Sequence, residues 1–283
     1  MFGETFRKNI TVWLFLTVFS LAGLSLTGCR SDILGLVRST SLDERLKEQD
    51  NFHFLQAEDM TLSLGEEYSF IVLGDMHIEN DKTYGLEKIK DVIAADSSIK
   101  FAVFTGDITQ NGNRQDIETF IDIARSFGIP CYPVIGNHDI YFNNWQHWKT
   151  LIGSTRYRIN GTGTTLFILD SANAYFGKAQ LDWLEREIKN TQGYVFVFTH
   201  SNLFTVNPVI IQQLTDTRER ARISSILSGR CNIMFIGHMH MGSEKKTGNV
   251  LYINVQGFRN NQTYYLVSVT KNGIKGRYEK LNY

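Results

Sequence analysis

The chain has 283 residues and a formal net charge of zero, with 29 basic and 29 acidic side chains. With no long Lys/Arg run, nucleic acid is not an expected partner. Its length permits one large domain or two small ones with a substantial core, and abundant glycine with scarce proline fits an ordered α/β or β-rich chain rather than a disordered one.

At the N-terminus Arg7 and Lys8 precede an uncharged run from Asn9 to Gly28, which closes on Leu26-Thr27-Gly28-Cys29. A basic start, an apolar middle and a small-residue end make an export signal. The competing reading is a transmembrane anchor, because the run approaches the ~20 residues that span a bilayer. The Leu-Thr-Gly-Cys end resembles the lipobox of bacterial lipoprotein signal peptides. That resemblance implies a signal peptide over 1–28 and a lipidated Cys29 as mature N-terminus. It also implies anchoring at a bacterial membrane, facing the periplasm or exterior.

Residues 29–67 are polar and unpatterned except for Ser41-Leu42-Asp43-Glu44, a capping-box spacing. They are expected to form a linker with one short surface helix, in which His53 is a partly exposed structural histidine. A single domain is expected over 68–283. Strands are predicted at Ser69–Leu73, Phe101–Thr105, Tyr132–Ile135, Thr165–Leu169, Val195–Thr199 and Ile233–Ile236, all short apolar, β-branched or aromatic runs. Helices are predicted between them at Tyr84–Ala95, Arg114–Phe127, Lys178–Asn190 and Asp216–Leu227. This alternation predicts parallel βαβ units. After Val250 strands follow one another, and Asn272-Gly273 predicts a hairpin between Tyr264–Thr270 and Ile274–Tyr278. Cys131 and Cys231 each open an apolar run. Export would permit a disulfide between them, but separate interior strands favour two buried thiols.

The strands end in polar residues that packing does not require. In order these are Gly74-Asp75-Met76-His77, Gly106-Asp107, Gly136-Asn137-His138-Asp139, His200 and Gly237-His238-Met239-His240. Loops at the carboxyl ends of α/β strands form the ligand crevice, so endings on one sheet edge would converge. Asp75 and His77, like His238 and His240, stand two apart, and in extended chain each pair would point to one side as a pincer. Oxygen and imidazole donors without thiolate suit Mn, Fe or Zn rather than a structural zinc site. The inventory exceeds what one ion would use; two cations about 3.5–4 Å apart, bridged by a carboxylate, would use all of it. Singly, Asp-x-His is a loop, Gly-Asp a turn and His200 a core histidine. Jointly, each following an apolar run, they make a site.

This ordered set resembles the signature of the calcineurin-like metallophosphoesterases, from Phe70 to the C-terminus. The resemblance implies an α/β fold in which a sandwich of two mixed β-sheets is flanked by helices (α/β/β/α). It assigns Asp75, His77 and His240 to one metal, Asn137, His200 and His238 to the other, and Asp107 to the bridge. The implied reaction is hydrolysis of phosphate mono- or diesters, with a metal-bound hydroxide attacking phosphorus in line. His138 is expected to act as general acid toward the leaving-group oxygen, with Asp139 holding its ring. Purple acid phosphatases carry a tyrosine ligand where this chain has Gln110, so a tyrosinate-iron site is not expected. Asn111, Arg114, Tyr141, His147 and Asn173 lie near the motifs and could line a pocket, though solvated loop positions are the expectation for each. A non-catalytic scaffold of the same fold is the alternative that the complete ligand set argues against. A lipidated Cys29 would favour membrane-proximal pyrophosphates or phospholipid headgroups, and export weighs against an intracellular cyclic-nucleotide substrate.

Overall fold

Tyr68-Ser-Phe-Ile-Val-Leu73 is buried at every position, the mark of a strand covered on both faces. The computed structural model describes residues 34–35, 38–47, 52–204, 213–214 and 216–281; the export signal and Cys29 lie outside them. In chain order the strands are β1 (Thr61–Leu62), β2 (Tyr68–Leu73), β3 (Ile99–Phe104), β4 (Cys131–Pro133), β5 (Tyr157–Gly161), β6 (Thr164–Ile168), β7 (Tyr194–Thr199), β8 (Ile233–Ile236), β9 (Ser243–Thr247), β10 (Val250–Asn254), β11 (Thr263–Thr270) and β12 (Gly273–Lys280). They form a seven-stranded sheet, β1-β5-β6-β7-β8-β10-β9, and a five-stranded sheet, β12-β11-β2-β3-β4. Both are mixed. β2, β3 and β4 run parallel, as do β6, β7, β8 and β10, while β11 and β5 join antiparallel.

Aromatic rings join the sheets face to face. Phe70 of β2 lies 5.0 Å from Phe196 of β7 and 6.1 Å from Phe235 of β8, and stacks on Phe101 at 4.6 Å. Helices cover the outer faces. In chain order the α-helices among the described residues are α1 (Leu42–Arg45), α2 (Ile89–Ala95), α3 (Arg114–Ser126), α4 (Trp145–Leu151), α5 (Lys178–Ile188), α6 (Thr217–Leu227) and α7 (Phe258–Asn261). On α3 the spacing of Ile117, Phe120, Ile121 and Ala124 makes one apolar face, and Phe120 meets Phe104 edge-on at 4.9 Å. Each large side chain so buried contributes about 1.5–3 kcal/mol. α5 and α6 cover the seven-stranded sheet through Leu181, Leu184, Ile188, Ile223 and Leu227. The layering is helix, sheet, sheet, helix, as the family resemblance implied.

Several boundaries differ from expectation. The stretch from Tyr84 turns through left-handed backbone at Tyr84 and Gly85 (φ 55° and 87°), so helix begins only at Leu86, as a tight turn before α2. β5 and α4 were not expected. β5 carries Arg158 and Asn160 between its buried residues, which hides the strand pattern. Cys131 and Cys231 are free and buried, and burial pushes both thiols up.

The largest correction concerns 29–67. Of its described residues, Leu42, Arg45, Phe54, Leu55, Leu62 and Leu64 are buried, and β1 pairs with β5. The Arg45 guanidinium grips both oxygens of Asp170 at 2.8 Å and donates to the Thr40 carbonyl at 2.6 Å and Asn173 Oδ1 at 2.7 Å. Its described residues form an integral strap rather than a linker. The helix started by Ser41 does form, but two of its residues face the interior. His53 is exposed, as expected.

Candidate metal centre

The polar strand ends meet at one end of the sandwich, and they come from both sheets. β2, β3 and β4 deliver Asp75, His77, Asp107 and Asn137 from the five-stranded sheet; β7 and β8 deliver His200, His238 and His240 from the seven-stranded one. A single sheet edge was expected, and a seam between two sheets is found. All seven side chains are buried except His240, which is partly exposed.

The extended-chain pincer is also corrected. Asp75, His77, Asp107, His238 and His240 have φ of 53°, 49°, 49°, 71° and 54°, the left-handed region that non-glycine residues avoid, at roughly 1–3 kcal/mol each. Backbone bonds hold them there: Asp75 N–H donates to the Gly106 carbonyl at 3.2 Å and His77 N–H to the Asp107 carbonyl at 2.9 Å. His238 N–H donates to Asp75 Oδ1 at 3.0 Å, linking the sheets. Neighbouring glycines make the close approach possible. A Cβ on Gly136 would stand 2.2 Å from the Asp107 nitrogen, and one on Gly106 2.5 Å from His200 Nδ1.

Donor atoms gather in two groups that share Asp107: Asp75, His77, Asp107 and His240, then Asp107, His200 and His238, each within 4.8 Å of one another. In the first, His77 Nε2 and His240 Nε2 are 3.1 Å apart, and His240 Nε2 lies 3.5 Å from Asp75 Oδ1. In the second, Asn137 Oδ1 faces His200 Nε2 at 2.9 Å and His238 Nδ1 at 3.1 Å. Asn137 Nδ2 donates to the Tyr141 hydroxyl at 2.8 Å, which turns its carbonyl oxygen inward. Asp107 places Oδ1 3.3 Å from His200 Nε2 and Oδ2 3.8 Å from His77 Nε2.

These contacts fit a cation. His200 Nδ1 donates to the Thr105 carbonyl at 2.9 Å, so a neutral ring would aim the Nε2 lone pair at the Asn137 and Asp107 oxygens. Burial works against protonating His200, yet Asp107 outweighs it and raises the ring to about 9. The proton so retained stands where a cation would replace it. Asp75 Oδ2, Asp107 Oδ2 and His77 Nδ1 are buried without a hydrogen-bond partner, a costly state that an ion relieves at the two carboxylates. Burial raises Asp107 less than His200 and His138 lower it, so it stays well below the usual carboxylate range. Burial holds His77 well below its ordinary value and hence neutral, as a ligand must be.

His138 and Asp139 are not partners. Asp139 accepts from the main-chain nitrogens of Gly136 (2.9 Å), Thr109 (2.9 Å) and Ile108 (3.3 Å) and from the Thr109 hydroxyl (2.9 Å). It ties the β3 loop to the β4 loop. The expectation that it holds the His138 ring is therefore corrected: Nδ1 of that ring donates to the Gln110 carbonyl at 2.8 Å. Of the five loop residues near the motifs, Tyr141 orients a candidate ligand. Asn173 binds Arg45, Arg114 pairs with Glu118, His147 meets the Gly112 carbonyl and Asn111 accepts from Asn144.

A sandwich of two mixed sheets with this histidine and carboxylate seam defines a metallophosphoesterase-type scaffold. The chain belongs to the calcineurin-like phosphoesterase family, whose sequence profile matches residues 68–242. A probable cyclic nucleotide phosphodiesterase of Fibrobacter succinogenes is 25% identical over 167 residues, 56% of this chain and 61% of that protein. One of Colwellia psychrerythraea is 30% identical over 141 residues, 48% of this chain and 54% of that protein. The chain thus spans a little over half the length of these curated relatives. The crystal structure of a dimetal phosphatase from Danio rerio shares the fold, with a TM-score of 0.59 at 12% identity, over 76% of this chain and 99% of that one.

Proposed function

We propose that this chain is a dinuclear metal-dependent hydrolase of phosphate mono- or diesters. The observation that carries the reading is Asp107, whose two oxygens address two separate donor groups. Asp75, His77 and His240 would hold one ion, Asn137, His200 and His238 the other, and Asp107 both. Bound there, divalent ions supply Lewis acidity and lower the pKa of water. His138, whose Nδ1 proton is committed to the Gln110 carbonyl, exchanges a proton at Nε2 and meets the leaving-group oxygen. Burial lowers its pKa, and an anionic ester beside it works in the opposite direction. The test is hydrolysis of chromogenic phosphate mono- and diesters with added Mn²⁺, Fe²⁺ or Zn²⁺. His138→Ala should keep its metal content and lose about 10²–10⁴ in turnover. No turnover with any of these metals would leave a scaffold; loss of metal in His138→Ala would overturn that residue's role.

A second reading concerns where the substrate lies. A Cβ on Gly35 would touch the Tyr141 ring at 3.0 Å, and Tyr141 orients Asn137. Gly35 follows Cys29 by 6 positions, which cannot reach beyond about 20 Å. A lipidated Cys29 would therefore hold the centre close to a bilayer, which favours membrane-borne pyrophosphates or phospholipid headgroups. Cys29→Ser should move the protein from the membrane to the soluble fraction; an unchanged distribution would end this reading.

A further inference from the structure

We propose that Arg259, backed by Gln110 and Tyr84, forms a subsite for the phosphoryl oxygens of the substrate at the rim of the metal centre. The inference rests on the phosphate-ester reading and adds a residue beyond 68–242, the span the family profile matches. Arg259 lies on α7, which docks on the first ligand loop: Phe258 N–H donates to the Gly74 carbonyl at 2.7 Å and Arg259 N–H to the Asp75 carbonyl at 3.3 Å. Its side chain donates from Nη1 to Gln110 Oε1 at 2.7 Å, and its Cζ lies 5.2 Å from the centroid of the Tyr84 ring. It is close enough to the ligands that its charge adds to the influences lowering His77. Gln110 also accepts from His138 through its main-chain oxygen, so guanidinium, amide and imidazole follow one another along the rim.

Arg45, Arg114, Arg158, Arg222 and Arg277 are each paired with a carboxylate. Arg259 is half-buried and, among the described residues, has no carboxylate within ion-pair distance. Its bond to Gln110 uses one of five guanidinium donors. A fixed cationic fork of this kind matches two non-bridging oxygens of a phosphate, and the Tyr84 face and the Gln110 oxygen hold it in place before an anion arrives.

The experiment titrates inorganic phosphate by calorimetry into the full-length chain loaded with Mn²⁺, with bound metal quantified, alongside ester kinetics. Arg259→Ala should keep its metal, bind phosphate roughly tenfold or more weakly, and raise KM for a chromogenic diester more than it lowers kcat. Arg259→Gln, which can keep the contact with Gln110 but not the charge, should weaken phosphate binding likewise, and it carries the test if Arg259→Ala does not fold. Phosphate affinity equal to that of the unsubstituted protein in either folded variant would overturn the subsite, as would an unsubstituted protein that binds no phosphate. Phosphate binding that depends on Arg259 without hydrolysis of any ester would instead remove the hydrolase reading and leave the subsite standing.

Discussion

A candidate ligand must be oriented as well as placed, and Asn137 shows how this chain does it. Its amide could present either oxygen or nitrogen to the two histidines; the Tyr141 hydroxyl, accepting from Nδ2 at 2.8 Å, selects the oxygen. Tyr141→Phe keeps the buried ring but leaves Nδ2 without that acceptor and the amide freer to flip. Metal affinity should fall about 10–100-fold, as is usual for loss of a group that orients a ligand, with the fold intact by circular dichroism. Metal titrations that superimpose on those of the unsubstituted protein would refute this role. Asp139 works at the same scale but mainly on backbone, since its acceptances from three main-chain nitrogens and the Thr109 hydroxyl lock the loops that carry Asp107 and Asn137.

Among the elements, the strap around α1 does most to revise the plan of the chain. A polar stretch read as a linker instead sends Arg45 into the interior, where it meets Asp170 with both groups fully buried. Composition hid this, because a buried arginine looks like a solvated one until its partner, 125 positions away, is known. Arg45→Met would leave the Asp170 carboxylate buried without its counter-charge, at about 3–5 kcal/mol. For a domain of this size that lowers Tm by roughly 10 °C or more. Arg45→Met with Asp170→Leu should recover much of the loss, since replacing both charges by apolar groups is often neutral. If the strap were a linker, Arg45→Met would melt with the unsubstituted protein.

For the molecule as a whole, the residues that gather at the candidate site were legible in the sequence while their geometry was not. Asp75, His77, Asp107, Asn137, His200, His238 and His240 announce themselves because each follows an apolar run, which packing alone does not require. The left-handed backbone of Asp75, His77, Asp107, His238 and His240, the origin of the seven in two different sheets, and the role of Asp139 depend on tertiary contacts that no local pattern encodes. That origin in two sheets has a consequence for stability. Four of the side chains belong to strand ends of the five-stranded sheet and three to the seven-stranded one, so an ion bound among them fastens the sandwich at that end. Each bound ion stabilises the folded state by about 2.7 kcal/mol when its concentration is a hundredfold above Kd. Chelation should therefore lower Tm, and Mn²⁺ added back should restore it. Amide exchange should quicken first in the loops after β2, β3 and β8, while the Phe70, Phe101 and Phe196 layer, held by apolar contact, stays protected. Melting curves that coincide with and without chelator would mean that the seam is held by its own hydrogen bonds and that no ion fastens it.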